Sequence, residues 1–265
     1  MAMALRQAGY PVSEVVSRDN PASQRRAERL ARRTGARATT IRQPRLRADV
    51  VWLCVPDRDI ASCAKTLAGH GEWNGKTALH ASGALTSREL HPLQRRGAAV
   101  ASVHPLMTFV AGVHPSLAEV PFAIEGDPAA VRVARRMVRD LGGKAFQIEK
   151  RDKPAYHAWG AFTSPLLLAA LVAAERVAGL AGIRPEEARR RMQPIVRQTL
   201  ANYVTNGPAG AFSGPITRGD AATIGKHLRI LERLPEAKQV YIALARIAVK
   251  NLPTKNRRAL EKALR

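Results

Sequence analysis

The feature that most narrows the possible folds is a change of pattern at Lys150. Before it, short apolar or β-branched runs alternate with helix-forming segments. After it, only helix-forming segments follow. The strand-like runs are 12–18 (VSEVVSR), 48–55 (ADVVWLCV), 76–82 (KTALHAS), 98–104 (AAVASVH), 120–126 (VPFAIEG) and 144–149 (KAFQIE). The run 48–55 is almost continuously apolar, as a parallel strand covered on both faces requires. Helices are predicted over 20–34, opened by the capping pair Asn20-Pro21, over 60–67, and over 129–141, capped by Asp127-Pro128. Residues 1–9 read as the last turns of an amphipathic helix ending at Gly9. Strands alternating with helices predict a parallel, doubly wound sheet. Beyond Lys150, helices are predicted over 153–181, 185–205, 219–233, 236–250 and 254–264, with Pro194 kinking the second. The expected class is α/β, with a sheet domain over 1–150 and an all-α domain over 151–265.

Within the helical part, Asp152 to Gly182 stands out, because 158–174 is apolar almost all round. Such a helix belongs in a core, a subunit interface or a membrane. The apolar run is at the short end for a bilayer and is interrupted by Thr163-Ser164-Pro165. Its apolar perimeter exceeds what a small helical domain can cover, so two copies are expected to pair through it as a symmetric homodimer. Lys153, His157 and Ser164 fall at helical spacings that place them on one face, and Pro165 is expected to kink the helix beside Ser164. A cation, an imidazole and a hydroxyl against an apolar wall need partners, a ligand or water. Two readings are open: a core helix with a solvated first turn, or a helix whose amino end lines an active site.

Composition excludes several classes. An apolar content of 46% and a charged content of 24% are those of a globular chain. No secretory leader pattern opens the sequence, and Cys54 and Cys63 show no metal-type spacing. The expected compartment is the cytoplasm, with both thiols reduced. The formal charge is +22, from 43 Lys and Arg against 21 Asp and Glu, and it is spread along the chain. With aromatics at 5%, there is no basic stripe interleaved with stacking residues, so no specific nucleic acid is expected and the charge accounts only for non-specific binding to polyanions.

In an open parallel sheet, ligands bind beyond the carboxyl ends of the strands. Those ends are Ser17-Arg18, Val55-Pro56-Asp57, Ser82-Gly83 and His104-Pro105. A hydroxyl and a guanidinium at Ser17-Arg18, where NAD-specific folds carry an acid, suit a 2′-phosphate and favour NADP; a surface arginine in an Arg-rich chain is the alternative. Val55, Pro56, Asp57, Ser82 and Gly83 would border the cofactor's ribose and nicotinamide, unless they are ordinary strand-end turns. His104 faces the crevice, where it can bond a substrate oxygen or carry a proton. His80 lies inside a strand and reads as structural, while His70, His91, His114 and His227 have no supporting context. No metal is expected, since the histidines never show ligand spacing with Cys or acids.

The segments GALTSREL (83–90), VASVHPLMTF (100–109), VPFAIEGD (120–127), KPAYHAWGAFTSPLL (153–167) and AFSGPITRGD (211–220) together resemble one bacterial group. These are Rossmann-like proteins with a C-terminal domain of unknown function, related to pyrroline-5-carboxylate reductase and the 6-phosphogluconate dehydrogenase superfamily. The resemblance spans nearly the whole chain. It implies an NADP-binding domain followed by a helical domain that commonly dimerises. It also implies that Lys153 and His157 face the nicotinamide, and that His104 matches a His-Pro element that meets substrate in prephenate dehydrogenases. Ser213, Arg218 and Asp220 would belong to a substrate-binding segment, or to an interhelical turn capped by Asp220. The family's first strand and Gly-rich turn are not in this sequence, so the expectation is that the true start lies upstream of Met1.

The function expected from these readings is an NADP-dependent oxidoreductase acting on a small carbonyl or imine compound. Lys153 would stabilise charge or carry a proton, His157 or His104 would act as general acid/base, and Ser164 would orient substrate. The alternative is a non-catalytic dimeric binding or regulatory protein of the same fold.

Overall fold

The computed structural model describes residues 1–265 apart from 111 and 114. His114 therefore lies outside the described residues. The chain divides into two compact units, Met1–Phe162 and Thr163–Arg265.

The first unit runs α1 (Ala2–Gln7), β1 (Glu14–Ser17), α2 (Pro21–Thr34), β2 (Arg37–Thr40), β3 (Val50–Leu53), α3 (Asp57–Ala68), β4 (Thr77–His80), α4 (His91–Gln94), β5 (Ala99–Pro105), β6 (Pro121–Gly126), α5 (Pro128–Asp140) and β7 (Lys144–Gln147), then most of α6 (Lys153–Thr163). β3, β4, β5, β6 and β7 form one sheet in that order, and β1 pairs with β2 in a second. β2 was not legible as a strand, because RATT holds one apolar residue. β1 pairs only with β2 and β3 only with β4, so each has one strand edge unpaired among the described residues.

All ladders are parallel except β5–β6. The sheet is thus mostly parallel, as expected, with one antiparallel pair. Among the described residues no helix lies between β5 and β6, and without a crossover the chain returns beside its own strand.

Alternation along the strands sends helices to both faces. Val51, Leu53, Ala78 and Val100 pack with Ile60, Cys63, Ala64 and Leu67 of α3. Val50, Trp52, Leu79, Ala101 and Val103 pack with Ala130, Ala134, Met137 and Val138 of α5. The buried residues of each helix recur at three- and four-residue steps, the period of a one-faced helix. Asn20 caps α2 by accepting from Ser23 N at 2.9 Å. Asp127 precedes α5 without capping it: its carboxylate accepts from Val100 N at 2.9 Å and from the Gln94 amide, which ties β6 to β5 instead.

The second unit continues through α7 (Pro165–Gly179), α8 (Pro185–Ala211), α9 (Pro215–Arg218), α10 (Ala221–Leu231), α11 (Pro235–Asn251) and α12 (Arg257–Ala263). Its core is Ile224, Ala245, Val249, Leu260 and Leu264. Arg189 of α8 clamps Glu175 of α7 with two bonds of 3.0 and 2.9 Å. α8 runs beyond the expected 205 to Ala211, broken at Gly207 by its φ of 68°.

The predicted helix 153–181 is two helices. At Ser164 the backbone leaves helical space, with φ −130° and ψ −80°, and Pro165 opens α7. Ser164 therefore stands at the break between the two helices. By length and composition alone, Lys150–Gly179 is long and apolar enough to cross a membrane. Expected to be covered all round, α7 has no buried residue in the single chain, and Leu166, Leu168 and Val172 are exposed.

Gly126, at the end of β6, has a φ of 147°, and a Cβ there would stand 2.3 Å from Val100 O and 2.5 Å from Ala101 Cα. Gly126→Ala is expected to destabilise by about 2–4 kcal/mol through strain and collision. The check is the urea midpoint; an unchanged value would show that β5 and β6 separate freely at this point.

Candidate functional site

The site grows from a row of polar side chains across the sheet. Register pairs His80 of β4 with Ser102 of β5, and Ser102 with Glu125 of β6. All three are buried. Such a row is costly unless each group is bonded, and each is. His80 Nδ1 accepts from Ser82 N at 3.1 Å, which makes Nε2–H the donor to Thr86 O at 3.0 Å. Burial pushes the imidazole down to about 4, so His80 is a neutral structural group. Glu125 accepts from Ser87 N at 2.6 Å and from Ser87 Oγ at 2.8 Å.

Lys153, the first residue of α6, enters this row and is fully buried. Its Nζ donates to Ser102 Oγ at 2.6 Å and to Ser82 O at 3.0 Å. Burial lowers its pKa to about 8, against the opposing pull of Glu125 and Asp57. These bonds and the burial of Tyr156 attach α6 to the sheet, so the compact unit extends past Lys150, where the sequence pattern changes, to Phe162.

Ser82 is used on every side. Its N donates to His80, its Oγ donates to Asp57 Oδ2 at 2.7 Å and accepts from Leu85 N at 2.9 Å, and its carbonyl takes Lys153 and Ser102 Oγ. Its hydroxyl is thus spent within the protein, and its effect is to fix Gly83. A Cβ on Gly83 would stand 2.8 Å from His104 Nε2 and 2.7 Å from His157 Cδ2. The missing side chain lets two imidazoles, whose centroids are 6.2 Å apart, pack close against Gly83. His157 is exposed. His104 Nδ1 lies 2.8 Å from the hydroxyl of Tyr156, and burial first, then Lys153, lowers its pKa to about 4. Burial raises the Tyr156 phenol to about 12.

The carboxyl ends of β1 and β3 join the same edge. Arg18 is half-exposed and reaches Asp59 of α3 at 3.3 Å. Ser17 is buried, and its hydroxyl donates to Thr39 O at 3.2 Å, so its hydrogen is not free for a phosphate. Val55 packs on the core, and Pro56-Asp57 opens α3. The bonds Arg18–Asp59, Asp57–Ser82 and Ser82–Lys153 link the ends of β1, β3 and β4 to α6.

The groups at the strand ends are of the kinds a dinucleotide needs: Arg18 is a cation suited to a 2′-phosphate, and the carboxylates of Asp57 and Asp59 suit ribose hydroxyls rather than phosphates. Among the described residues, no cluster of three or more His, Cys, Asp or Glu that could hold a metal occurs.

The remaining predicted residues lie in the second unit. Ser164 and Ser213 are exposed. Asp220 caps α10, accepting from Thr223 N at 2.9 Å and from Thr223 Oγ1 at 2.6 Å, and Arg218 ends α9. Sequence reading passed over Tyr156, Ser102 and Glu125. Two signals were available: Tyr156 sits at i+3 from Lys153 on a helix, and Ser102 at i−2 from His104 on a strand.

A Rossmann-like domain model matches residues 1–105, and the model for a domain of unknown function, DUF2520, matches 120–248. The chain is a Rossmann-like protein with a C-terminal DUF2520 domain. No curated protein sequence matches it. Among solved structures, it resembles a proposed NADP oxidoreductase from Bacteroides fragilis, with a TM-score of 0.75 at 21% identity over 92% of this chain and 91% of that one. A Thermotoga maritima protein matches with a TM-score of 0.74 at 22% identity, over 99% of this chain and 96% of that one. An imine reductase from Myxococcus stipitatus, solved with NADP+, matches with a TM-score of 0.63 at 17% identity, over 100% and 96%. At these identities the likeness establishes the fold.

The two depressed imidazoles give the DUF2520 protein a defined acid response. His80 and His104 hold pKa values of about 4 when folded, against the ordinary 6.5. The unfolded chain therefore binds more protons between these values, and stability is lost as pH falls from about 6.5 towards 4. Each imidazole is expected to remove about 2 kcal/mol between pH 7 and pH 5. Urea unfolding at the two pH values checks this, and His104→Gln is expected to remove roughly half of the difference.

Proposed function

We propose that this protein is an NADP-dependent oxidoreductase acting on a small carbonyl or imine compound. The observation that carries the reading is the convergence of His104 and His157 on Gly83 at the end of β4, backed by the buried Lys153. When bound, the nicotinamide supplies or accepts the hydride. The chain's own groups do the rest. His157, exposed beside Gly83, exchanges a proton with the substrate's nitrogen or oxygen. Lys153 places a positive charge behind Ser82-Gly83, where it opposes developing negative charge. Arg18 selects the 2′-phosphate. The imine reductase likeness supports the substrate class, and the nucleotide in that structure supports the cofactor. Ser164, Ser213, Arg218 and Asp220 are given no step.

Cofactor binding tests the reading first. Wild-type protein is expected to enhance or shift NADPH fluorescence, with weaker binding of NADH. Arg18→Ala is expected to weaken NADPH by about 1.5–3 kcal/mol, as for a lost charged hydrogen bond, and to leave NADH nearly unchanged. Equal losses would remove Arg18 from the 2′-phosphate. No binding of either nucleotide would leave the non-catalytic dimeric reading in its place.

With an imine substrate in hand, His157→Ala and Lys153→Ala are each expected to lower kcat by about 10²-fold or more while the fold persists. Near-normal turnover in either would make that residue structural.

We also infer that two copies pair through the second unit. Its apolar side chains Leu166, Leu168, Val172, Ile195, Tyr203 and Val204 are exposed in the single chain. Exposed apolar area on this scale marks an association surface. Light scattering is expected to give twice 28.8 kDa at micromolar concentration; a monomer would remove the inference.

A further inference from the structure

We infer that Tyr156 is a positioning residue that fixes the tautomer of His104, so that His104 presents Nε2–H beside Gly83 as a standing hydrogen-bond donor to a ligand oxygen. The ligand part of this rests on the oxidoreductase reading; the tautomer does not.

The argument starts from one bond. The Tyr156 hydroxyl and His104 Nδ1 are 2.8 Å apart, and one of the two must donate. Tyr156 is buried, and among the described residues its hydroxyl has no other hydrogen-bond partner. If Nδ1–H donated, the phenol hydrogen would be buried without an acceptor, an arrangement that folded proteins avoid. The phenol therefore donates, Nδ1 is the acceptor, and the neutral ring carries its hydrogen on Nε2. The ring is held edge-on to Tyr156, with centroids 5.5 Å apart. Tyr156 is itself seated edge-on to Phe146 and Trp159.

The surroundings oppose a second proton. Around His104 stand Lys153 and His157 of α6, His80 of β4 and Asp57 at the start of α3. The first three disfavour an imidazolium, and only Asp57 favours it. The low pKa of His104, about 4, and the high one of Tyr156, about 12, agree with a neutral pair across the working range.

Nε2 faces Gly83, whose missing side chain lets the ring pack so close that a Cβ there would stand 2.8 Å away. Among the described residues Nε2 has no hydrogen-bond partner of its own, so its hydrogen is left for a ligand. A fixed N–H there recognises a carbonyl, carboxylate or hydroxyl oxygen. A constant donor cannot also be the base, so proton transfer falls to His157. This separates two histidines that spacing in the sequence left interchangeable.

The test is nitrogen NMR of histidine-labelled protein from pH 5 to 8, with His104 assigned from the spectrum of His104→Gln. Wild type is expected to show Nδ1 unprotonated and Nε2 protonated throughout. Tyr156→Phe keeps the ring and removes the hydroxyl. It is expected to give tautomer exchange at His104 and protonation at a higher pH, with His227 unchanged as an internal control. An Nδ1–H tautomer in wild type, or an identical His104 signal in Tyr156→Phe, would overturn the inference. If the variant does not fold, the wild-type spectrum still decides. Acetate, as an oxygen probe, is expected to shift the His104 Nε2 signal where methylammonium does not; equal responses would overturn the donor role. NADPH binding measured on the same sample separates the outcomes, because its failure removes the oxidoreductase reading and leaves the tautomer standing.

Discussion

The arrangement of the site depends on one buried cation. Lys153 is the first residue of α6 and is fully buried, with its Nζ held by Ser82 O and Ser102 Oγ. Burying an ammonium is among the costliest choices a fold can make, and it persists only where the group is bonded and opposed by charge. Here the oxygens of β4's exit and of β5 bond it, and Glu125 and Asp57 supply the field. The bond fixes the start of α6, and with it Tyr156 and His157, one turn along. Without it, nothing in the pattern of an Ala-rich apolar helix would set which face meets the sheet.

Around that cation two imidazoles and a phenol are kept neutral. His80 and His104 are held low and Tyr156 high, in each case chiefly by burial. The charge of Lys153 therefore acts in surroundings with few mobile counter-charges, where a fixed charge has a longer reach than at a wetted surface. The serines complete the arrangement. Ser82 and Ser87 are drawn into holding the backbone and Glu125, so the residue that meets the two imidazoles is Gly83, chosen for what it lacks.

Much of the architecture was legible because it is written in periods. The apolar run 48–55 and the alternating strands at 76–82 and 98–104 announce a sheet, and α3 and α5 announce their buried faces at three- and four-residue steps. What was not legible depends on tertiary pairing. β2 is a strand because Arg37–Thr40 lies beside β1, not because RATT has a strand's composition. β6 runs antiparallel to β5, and among the described residues no crossover helix precedes it. The strand-end rule located Asp57, Ser82, Gly83 and His104, and helical spacing located Lys153 and His157. Neither rule says which way a hydroxyl points. Ser17 and Ser82 were read as facing a cofactor, and both donate within the protein. Tyr156 was missed because a tyrosine in an aromatic-containing helix looks like packing until its partner is seen.

The charge of +22 looks at first like the feature that ought to explain function, yet the site holds little of it. The excess is carried on solvent faces: Arg25, Arg26, Arg29, Arg32 and Arg33 on α2, and Arg132, Arg135, Arg136 and Arg139 on α5. At physiological ionic strength such charges are screened within about 8 Å, so they do not act as contacts at Gly83. Their effect is of another kind. A broadly positive surface raises the local concentration of phosphate-bearing ligands and speeds their encounter without distinguishing among them. Discrimination among them would fall to groups at the strand ends, and Arg18, at the end of β1, is already braced by Asp59. A guanidinium held by a single carboxylate keeps donors free for a second anion, and the brace fixes the direction in which they point.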